Sequence, residues 1–190
     1  MLLTTVALNA QKLKQNGDLT FLKGESEVNV SVVFDDNMKV GKMSEAEYVE
    51  KNVSERDAKK MGDGSRWLDG WNGARENFYI PKFVDLLNKV VSKNATFGNY
   101  PDAAYTVVFN VTRIEPGFNI GVTRKPAEID GVAYFVKTSD MNNSLAEVTI
   151  TKAPGAQAFG ADYAVEQRVA ESFAISGKRL GALLNKKAFK

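Results

Sequence analysis

Alternating hydrophobic and polar positions predict β-strands along the chain. Between Val28 and Phe34 every second side chain is hydrophobic and those between are largely polar, which is the two-residue period of a half-buried strand. Three further runs, in which hydrophobic side chains also mark a strand, are residues 105–114, 129–136 and 145–150. A shorter hydrophobic group at residues 19–22 is a fifth candidate. The pattern therefore predicts four or five strands.

Two stretches between the first strand and the later ones predict helices. Ser44 is followed three residues later by Glu47, which is a capping box and places a helix N-terminus at Ser44. The stretch from there to about Met61 is highly charged and is expected to be a solvated surface helix. Glycines at 62 and 64 break it, Ser65 is the expected cap of the next helix, and Pro81 is expected to start a new one.

A long helix is predicted for residues 163–187. Its hydrophobic positions recur every three or four residues and line one face. Gly177 and Gly181 lie inside it, where each glycine costs about 1 kcal/mol relative to alanine. We expect this cost to be offset by a close approach of the helix to the sheet.

The order of elements is β-α-α-β-β-β-α, which predicts an α+β fold. We expect a two-layer sandwich, with a mixed sheet of about four to five strands and helices on one face. The first strand and the strand after the helices are expected to form a right-handed crossover. Residues 11–190 are expected to form a single domain.

The first ten residues have two interpretations. Residues 2–8 are an apolar run followed by Asn9 and Ala10, which is typical of the end of a signal peptide, although a basic region before it is missing. The alternative is an extra strand, because Thr4, Thr5 and Val6 are β-branched. The first interpretation predicts a periplasmic or secreted protein and the second a cytoplasmic one. No run is long enough to predict a transmembrane segment.

The composition narrows the possible chemistry. Among 190 residues there is no histidine and no cysteine. Ser-His-Asp and Cys-His catalysis, disulfides and the usual zinc ligands are therefore excluded. No metal site, cofactor or catalytic constellation is predicted. The formal net charge of +2 argues against a general nucleic-acid binder.

The segment WLDGWNGAR contains a candidate ligand site. Trp67 and Trp71 lie one helical turn apart, and Arg75 lies one turn further. Exposed indoles can stack on a sugar ring, and a guanidinium over an indole adds about 0.5–1 kcal/mol. The alternative is that both indoles are core residues that hold the helical segment on the sheet.

A glycine-rich connection at residues 117–122 is a second candidate. Asn119 lies within it, and Arg124 lies just beyond among nearby cations. Backbone N–H groups and cations of this kind can hold an anion. The alternative is a wide hairpin or a bulged strand.

Carboxylates are the remaining option for catalysis. Asp35 and Asp36 stand at a strand end, but neighbouring strand residues point to opposite faces and are not expected to share a proton. Glu115 stands at a turn before Pro116. A hydrolase that used Asp35, Glu115 or a lysine would need them in one cleft, so it is an alternative to a binding protein. Phosphate-loop and calcium-loop patterns fail on spacing.

Four strings resemble a family of exported Bacteroidetes proteins with no established function. They are FDDNMKVGKMSEAEY, FGNYPDAAYTVVF, EPGFNIGV followed by Lys125-Pro126-Ala127, and Lys152-Ala153-Pro154-Gly155. The resemblance covers residues 28–187 and implies export, but it carries no catalytic residue. The order of elements is also similar to small periplasmic domains of the Tol translocation protein, the curli secretion lipoprotein and the lipoprotein activator of penicillin-binding proteins.

These periplasmic domains are mostly binding and assembly modules, and the present chain lacks their lipid-bearing cysteine. The expected function is therefore a non-enzymatic periplasmic or secreted module with a protein or glycan partner in the cell envelope. The alternatives are a small-ligand or glycan binder that uses Trp67, Trp71 and Arg75, or the carboxylate-based hydrolase. The sequence leaves the ligand and the oligomeric state open.

Overall fold

A computed structural model describes residues 12–120, 123–155 and 164–190. The strands are β1 (Lys12–Gly17), β2 (Glu27–Val40), β3 (Met43–Ser44), β4 (Thr96–Gly98), β5 (Tyr105–Glu115), β6 (Phe118–Asn119), β7 (Arg124–Lys125), β8 (Glu128–Lys137) and β9 (Asp140–Pro154). The α-helices are α1 (Glu45–Asp57), α2 (Asp63–Ala74), α3 (Ile80–Val91) and α4 (Val165–Lys187). A π-helical turn, Arg75–Tyr79, makes α2 and α3 one continuous helical segment. Residues 1–10, for which the end of a signal peptide or an extra strand was predicted, lie outside the described residues.

The α+β fold with a mixed sheet is confirmed. The main sheet has seven strands in the order β1-β9-β8-β5-β2-β3, with β4 also paired to β2. Strand β2 runs parallel to β5 and β4, and the other pairings of this sheet are antiparallel. The first predicted strand and the strand after the helices are thus parallel neighbours, as a crossover requires. Strands β6 and β7 form a separate hairpin.

The prediction of four to five strands is wrong, and so is the simple element order. The polar segment KLKQNG forms β1, which pairs only with β9 at the edge of the sheet. Such an edge strand needs little hydrophobic pattern because it has one paired side and an exposed face. Strands β3 and β4 have two and three residues, too few to show a period. The candidate strand at residues 19–22 is instead a 3₁₀ turn, Thr20–Leu22, in which Asp18 accepts the Thr20 N–H.

The hydrophobic core lies between one face of the sheet and the helices. Phe109 of β5 stacks on Phe83 of α3 with ring centroids 4.8 Å apart, and it meets Phe173 of α4 edge to face at 6.2 Å. Residues of β8 with odd numbers, such as Phe135, point to this core. Tyr134, which has an even number, therefore lies on the opposite face of the sheet, and its side chain is only half-buried.

Helix α4 makes its close approach to helix α3. A Cβ added at Gly177 would lie 2.1 Å from the carbonyl oxygen of Phe83, and one at Gly181 would lie 3.0 Å from that of Leu87. The expectation that these glycines let the helix approach the sheet is wrong. They allow two helix backbones to touch, which gives the core its tight α3–α4 layer.

Some predicted boundaries hold and others shift. The capping box at Ser44 is confirmed, since the Ser44 hydroxyl accepts the Glu47 N–H and Glu47 accepts the Ser44 N–H. Ser65 does not cap α2; the Asp57 carboxylate accepts the N–H groups of Gly62 and Gly64 at 3.0 and 2.8 Å. Strand β9 begins at Asp140, whereas the run that predicts it begins at residue 145.

The π-helical turn is explained by Pro81. Proline has no N–H to donate to the preceding turn, so the helix changes its hydrogen bonding before it. Pro81 then stands in the first turn of α3, as predicted. The chain does not break here, and the turn keeps Tyr79 directed into the interior, where its side chain is 1% exposed.

Candidate ligand-binding site

A cavity of about 420 Å³ lies where α1, α2 and the first turn of α4 meet. We refer to it as the α1–α4 cavity. Its lining residues are Tyr48, Asn52, Arg56, Trp67, Ala164, Val165, Glu166 and Arg168. Three of them stand four residues apart on α1, so successive helical turns present them on one face.

An aromatic cluster forms one wall of the cavity. The indoles of Trp67 and Trp71 are stacked, with centroids 5.7 Å apart and planes at 19°. Tyr48 packs on both, edge to face with Trp67 at 5.9 Å and tilted against Trp71 at 5.1 Å. Trp67 and Tyr48 are half-buried and line the cavity, whereas Trp71 is buried behind them.

Trp71 and Arg75 are held away from the cavity by Glu45. Trp71 is 4% exposed, and its indole N–H donates to Glu45 Oε1 at 2.8 Å. Arg75 donates to both oxygens of the same carboxylate at 2.5 and 2.6 Å, and its guanidinium lies 4.1 Å over the ring of Phe34. The structure therefore divides the predicted trio: Trp67 lines the cavity, Trp71 is a core residue, and Arg75 lines a separate groove beside Glu45.

Two guanidinium groups line the cavity. The guanidinium carbon of Arg56 lies 5.5 Å from the centroid of Trp67, within the range of a cation–π contact. Arg168 is 8% exposed, and its Nε donates to the carbonyl oxygen of Pro116 at 3.2 Å. This bond ties α4 to the turn after β5, so Arg168 is a fixed group of the cavity wall.

The first turn of α4 lies at the cavity. Its N-cap is Ala164, which has no side chain that could accept a backbone N–H. Helix N–H groups at such a terminus carry a partial positive charge. Glu166 lies in this first turn, and it is the acidic residue among the described residues that line the cavity.

The hydroxyl of Tyr79, whose ring stacks on Phe173, is buried and has no hydrogen-bond partner among the described residues. Burial raises the pKa of this phenol above its usual value, and the nearby Glu166 and Tyr48, which both line the cavity, raise it further. The hydroxyl therefore stays protonated at neutral pH and remains a donor. Burial also raises the pKa of Tyr48.

The second predicted candidate pair lies elsewhere. Asn119 and Arg124 are paired across the β6–β7 hairpin. This agrees with the alternative interpretation of the glycine-rich connection, which was a hairpin. Arg124 is exposed, as is Phe118 beside it. None of the three lines the α1–α4 cavity.

The candidate carboxylates have separate sets of partners. Asp35 accepts the N–H of Asn37 at 2.9 Å and the side-chain amide of Asn110 at 3.1 Å, and these bonds lower the pKa of Asp35. Glu115 pairs with Lys125 at 2.9 Å and accepts the N–H of Gly117. Among the described residues these partners do not overlap, and neither carboxylate lines the α1–α4 cavity.

Sequence reasoning did not single out most of the cavity lining. The spacing of Tyr48, Asn52 and Arg56 by four residues was a local signal that these three side chains share one face of α1. Arg168 and Glu166 gave no such signal, because they reach the cavity only through the packing of α4 on the sheet. Tyr79 was hidden inside a hydrophobic helical run.

The described part of the chain lacks two kinds of feature. Within residues 12–120, 123–155 and 164–190 there is no cluster of three or more acidic side chains placed to hold a metal ion. Over the same ranges, no helix has the length and apolar character needed to span a membrane.

No protein-family model matches the chain, and no curated protein does. Among solved structures, it is similar to the PelC dodecamer from Paraburkholderia phytofirmans, with 10% identity and a TM-score of 0.39 over 88% of this chain and 98% of the PelC chain. A variant PelC dodecamer from the same organism has 12% identity and a TM-score of 0.39 over 90% and 99% of the two chains. Similarity at this level carries neither fold nor function from PelC to this protein.

Proposed function

We propose that this protein is a non-enzymatic binding module that holds a glycan in the α1–α4 cavity. The observation that carries the proposal is the cavity wall made by Trp67 and Tyr48, in which Trp71 stacks on Trp67 and the guanidinium of Arg56 lies over the same indole. Aromatic side chains held in this way lose little conformational entropy when a ligand packs against them.

The polar groups around Trp67 suit recognition of a sugar. Asn52, Arg56 and Glu166 provide amide, guanidinium and carboxylate groups around one aromatic face. Sugar hydroxyls both donate and accept hydrogen bonds, so a mixed set of this kind matches them. A protein partner is the competing candidate, and it is an outcome of the test below. The periplasm or the extracellular space stays the predicted location.

A retention experiment tests the proposal. The protein is immobilised, and solubilised envelope polysaccharide, muropeptide and protein fractions from a Bacteroidetes culture are passed over it. We expect wild type to retain carbohydrate and Trp67→Ala to lose most of that retention. Arg66→Gln is the matched control, because Arg66 is the exposed neighbour of Trp67 and pairs with Asp63 instead of lining the cavity.

Equal retention by wild type and Trp67→Ala, or no retained carbohydrate, would contradict the proposal. Retention of protein alone, lost in Trp67→Ala, would place a protein partner at the same cavity and would also overturn the glycan proposal.

A further inference from the structure

The outer edge of β2 has a gap between two short strands. Asn29 pairs with Gly98 of β4 and with Thr106 of β5, so these two strands lie on opposite sides of β2. Lys39 likewise pairs with β3 on one side and with β5 on the other. Strands β4 and β3 therefore share the outer side of β2, and between them no described strand pairs with residues 30–38 on that side.

The regular part of this gap is the outer side of residues 30–34, which we refer to as the β2 recess. Residues 35–38 leave the ladder, because the register with β5 shifts between Phe34 and Lys39. In a strand that is paired on one side, every second residue directs its N–H and C=O groups to the other side. Among the described residues, none bonds to these outward groups of the β2 recess. Unpaired backbone groups of this kind are a template for an added strand.

The β2 recess also leaves the border of the hydrophobic core uncovered. Val28 and Val40, which β4 and β3 flank, are both 0% exposed. Val30, Val32 and Phe34 lie between them and pack on the same core, but they are only half-buried. A strand added at the recess would therefore remove apolar side chains from water as well as pair backbone groups.

The shape of the β2 recess admits one strand and excludes a second sheet edge. Strands β4 and β3 each extend about 4.8 Å beyond β2, which is the spacing of neighbouring strands. If two recesses paired about a two-fold axis at Val32, residues 35–37 of the second copy would lie opposite residues 27–29, where β4 already stands. The gap beside residues 30–34 is about 17 Å long and fits about five residues of a single extended segment.

A groove of about 590 Å³ lies at the Phe34 end of the β2 recess. Arg75 lines this groove, and its guanidinium lies 4.1 Å from the centroid of the Phe34 ring. The other charged residues of the described lining are Glu45 and Asp36. Arg75 pairs with Glu45, whereas Asp36 is exposed and has no ion pair among the described residues. The groove is therefore net negative and complements a basic side chain.

We propose that the β2 recess binds an extended peptide segment of another protein as an added strand between β4 and β3. The backbone of the segment pairs with the outward N–H and C=O groups of residues 30–34. Its alternate side chains are hydrophobic and pack beside Val32 and Phe34, and a lysine or arginine at its end meets Asp36. The recess and its groove share no lining residue with the α1–α4 cavity, so this inference does not depend on the proposed function.

Amide hydrogen exchange of the ¹⁵N-labelled full chain, followed by nuclear magnetic resonance, tests this inference. The probe is the peptide KVTVTVK with acetylated and amidated ends, in which a lysine at each end serves either strand direction. In the free protein the outward amides of residues 30–34 should exchange fast, and those bonded to β5 slowly. We expect saturating peptide to slow the outward amides about tenfold or more. The outward amides of β1, which is also an edge strand, are the internal control and should not change.

Changes in the peptide and in the protein assign the interactions. KVPPTVK should bind about tenfold or more weakly than KVTVTVK, because its adjacent prolines remove one N–H from each side of the strand. EVTVTVE should also bind more weakly, and the difference should shrink at high salt. Asp36→Lys should weaken KVTVTVK about twofold and strengthen EVTVTVE. Glu50→Lys is the charge-matched control, because Glu50 is exposed on α1 and lines neither the groove nor the α1–α4 cavity.

Several results would overturn the inference. Unchanged exchange of the outward amides with KVTVTVK, equal slowing in β1, or equal binding of KVPPTVK would each exclude an added strand at the β2 recess. Outward amides that are already slow in the free protein would show that the edge is covered by this chain, or by a second copy if the protection rises with protein concentration. Equal effects of Asp36→Lys and Glu50→Lys would exclude the basic end of the segment. The glycan proposal is tested separately by carbohydrate retention.

Discussion

The indole N–H of Trp71 donates to the carboxylate of Glu45 at 2.8 Å, and this bond joins the first turn of α1 to α2. Arg75 completes the arrangement from the following turn through two bonds to the same carboxylate. The carboxylate therefore fixes the position of α1 relative to α2, and with it the packing of Tyr48 on Trp67 in the wall of the α1–α4 cavity.

Glu45→Ala is predicted to destabilise the protein. It leaves the buried Trp71 N–H without an acceptor and Arg75 without its partner, which costs about 1–3 kcal/mol in the free energy of unfolding. Urea denaturation followed by circular dichroism measures the loss. Glu55→Ala is the control, since Glu55 has only an exposed contact with Lys51 at 3.9 Å and should change stability by less than about 0.5 kcal/mol. Equal effects of the two substitutions would contradict a structural role for Glu45.

Gly177→Ala is predicted to destabilise the protein, although alanine favours a helix more than glycine does. Its Cβ would lie 2.1 Å from the Phe83 carbonyl oxygen, and because backbone cannot turn aside as a side chain can, α3 and α4 must separate. We expect a loss of about 1–3 kcal/mol or more. Gly70→Ala in α2 is the matched control, because nothing lies within 4 Å of its added Cβ. It should stabilise the protein by up to about 1 kcal/mol, and a stabilising Gly177→Ala would contradict the described α3–α4 contact.

Ser44→Ala is predicted to weaken the start of α1. The hydroxyl of Ser44 accepts the Glu47 N–H, and loss of an N-cap side chain costs about 1 kcal/mol. Thermal or urea unfolding at pH 7 measures the change. Ser44→Asp is the conservative control, since aspartate also caps helices and should recover most of the stability.

Glu47→Gln is predicted to change stability in a pH-dependent way. Hydrogen bonds from the backbone N–H and the hydroxyl of Ser44 lower the pKa of Glu47 below its usual 4.5. A depressed pKa in the folded state means that the stabilisation is present above pH 4.5 and is lost as the pH falls through the folded-state value. The variant should therefore be less stable than wild type at pH 6, and the difference should close at pH 3. A difference that stays constant from pH 6 to pH 3 would exclude this linkage.

Lys152→Gly is predicted to preserve or raise stability within a strand. Lys152 has a φ of 51°, a conformation that glycine adopts without strain. The variant keeps the backbone N–H that donates to Asp130 at 2.6 Å. A gain of up to about 1 kcal/mol in the free energy of unfolding is expected. Lys14→Gly in β1, where the backbone is an ordinary strand, should instead lose stability, and a loss at both positions would argue against strain at Lys152.

The local pattern of the sequence determined the central strands, the core-facing side of β2 and β5, and the capped start of α1. These features follow from the two-residue period of a strand and from a hydrogen-bonded box within four residues, so a short window contains them. The sequence also showed that Tyr48, Asn52 and Arg56 share one face of α1, because they are spaced by four residues.

Only the tertiary structure decided which of these groups meet. The polar β1 is a strand because β9 offers it an edge, and Gly177 is needed because α3 passes close to it. The α1–α4 cavity likewise joins Tyr48 and Trp67 to Arg168, about a hundred residues further along the chain. Contacts of this kind depend on how the helices pack on the sheet, and a periodicity of two or four residues does not predict them.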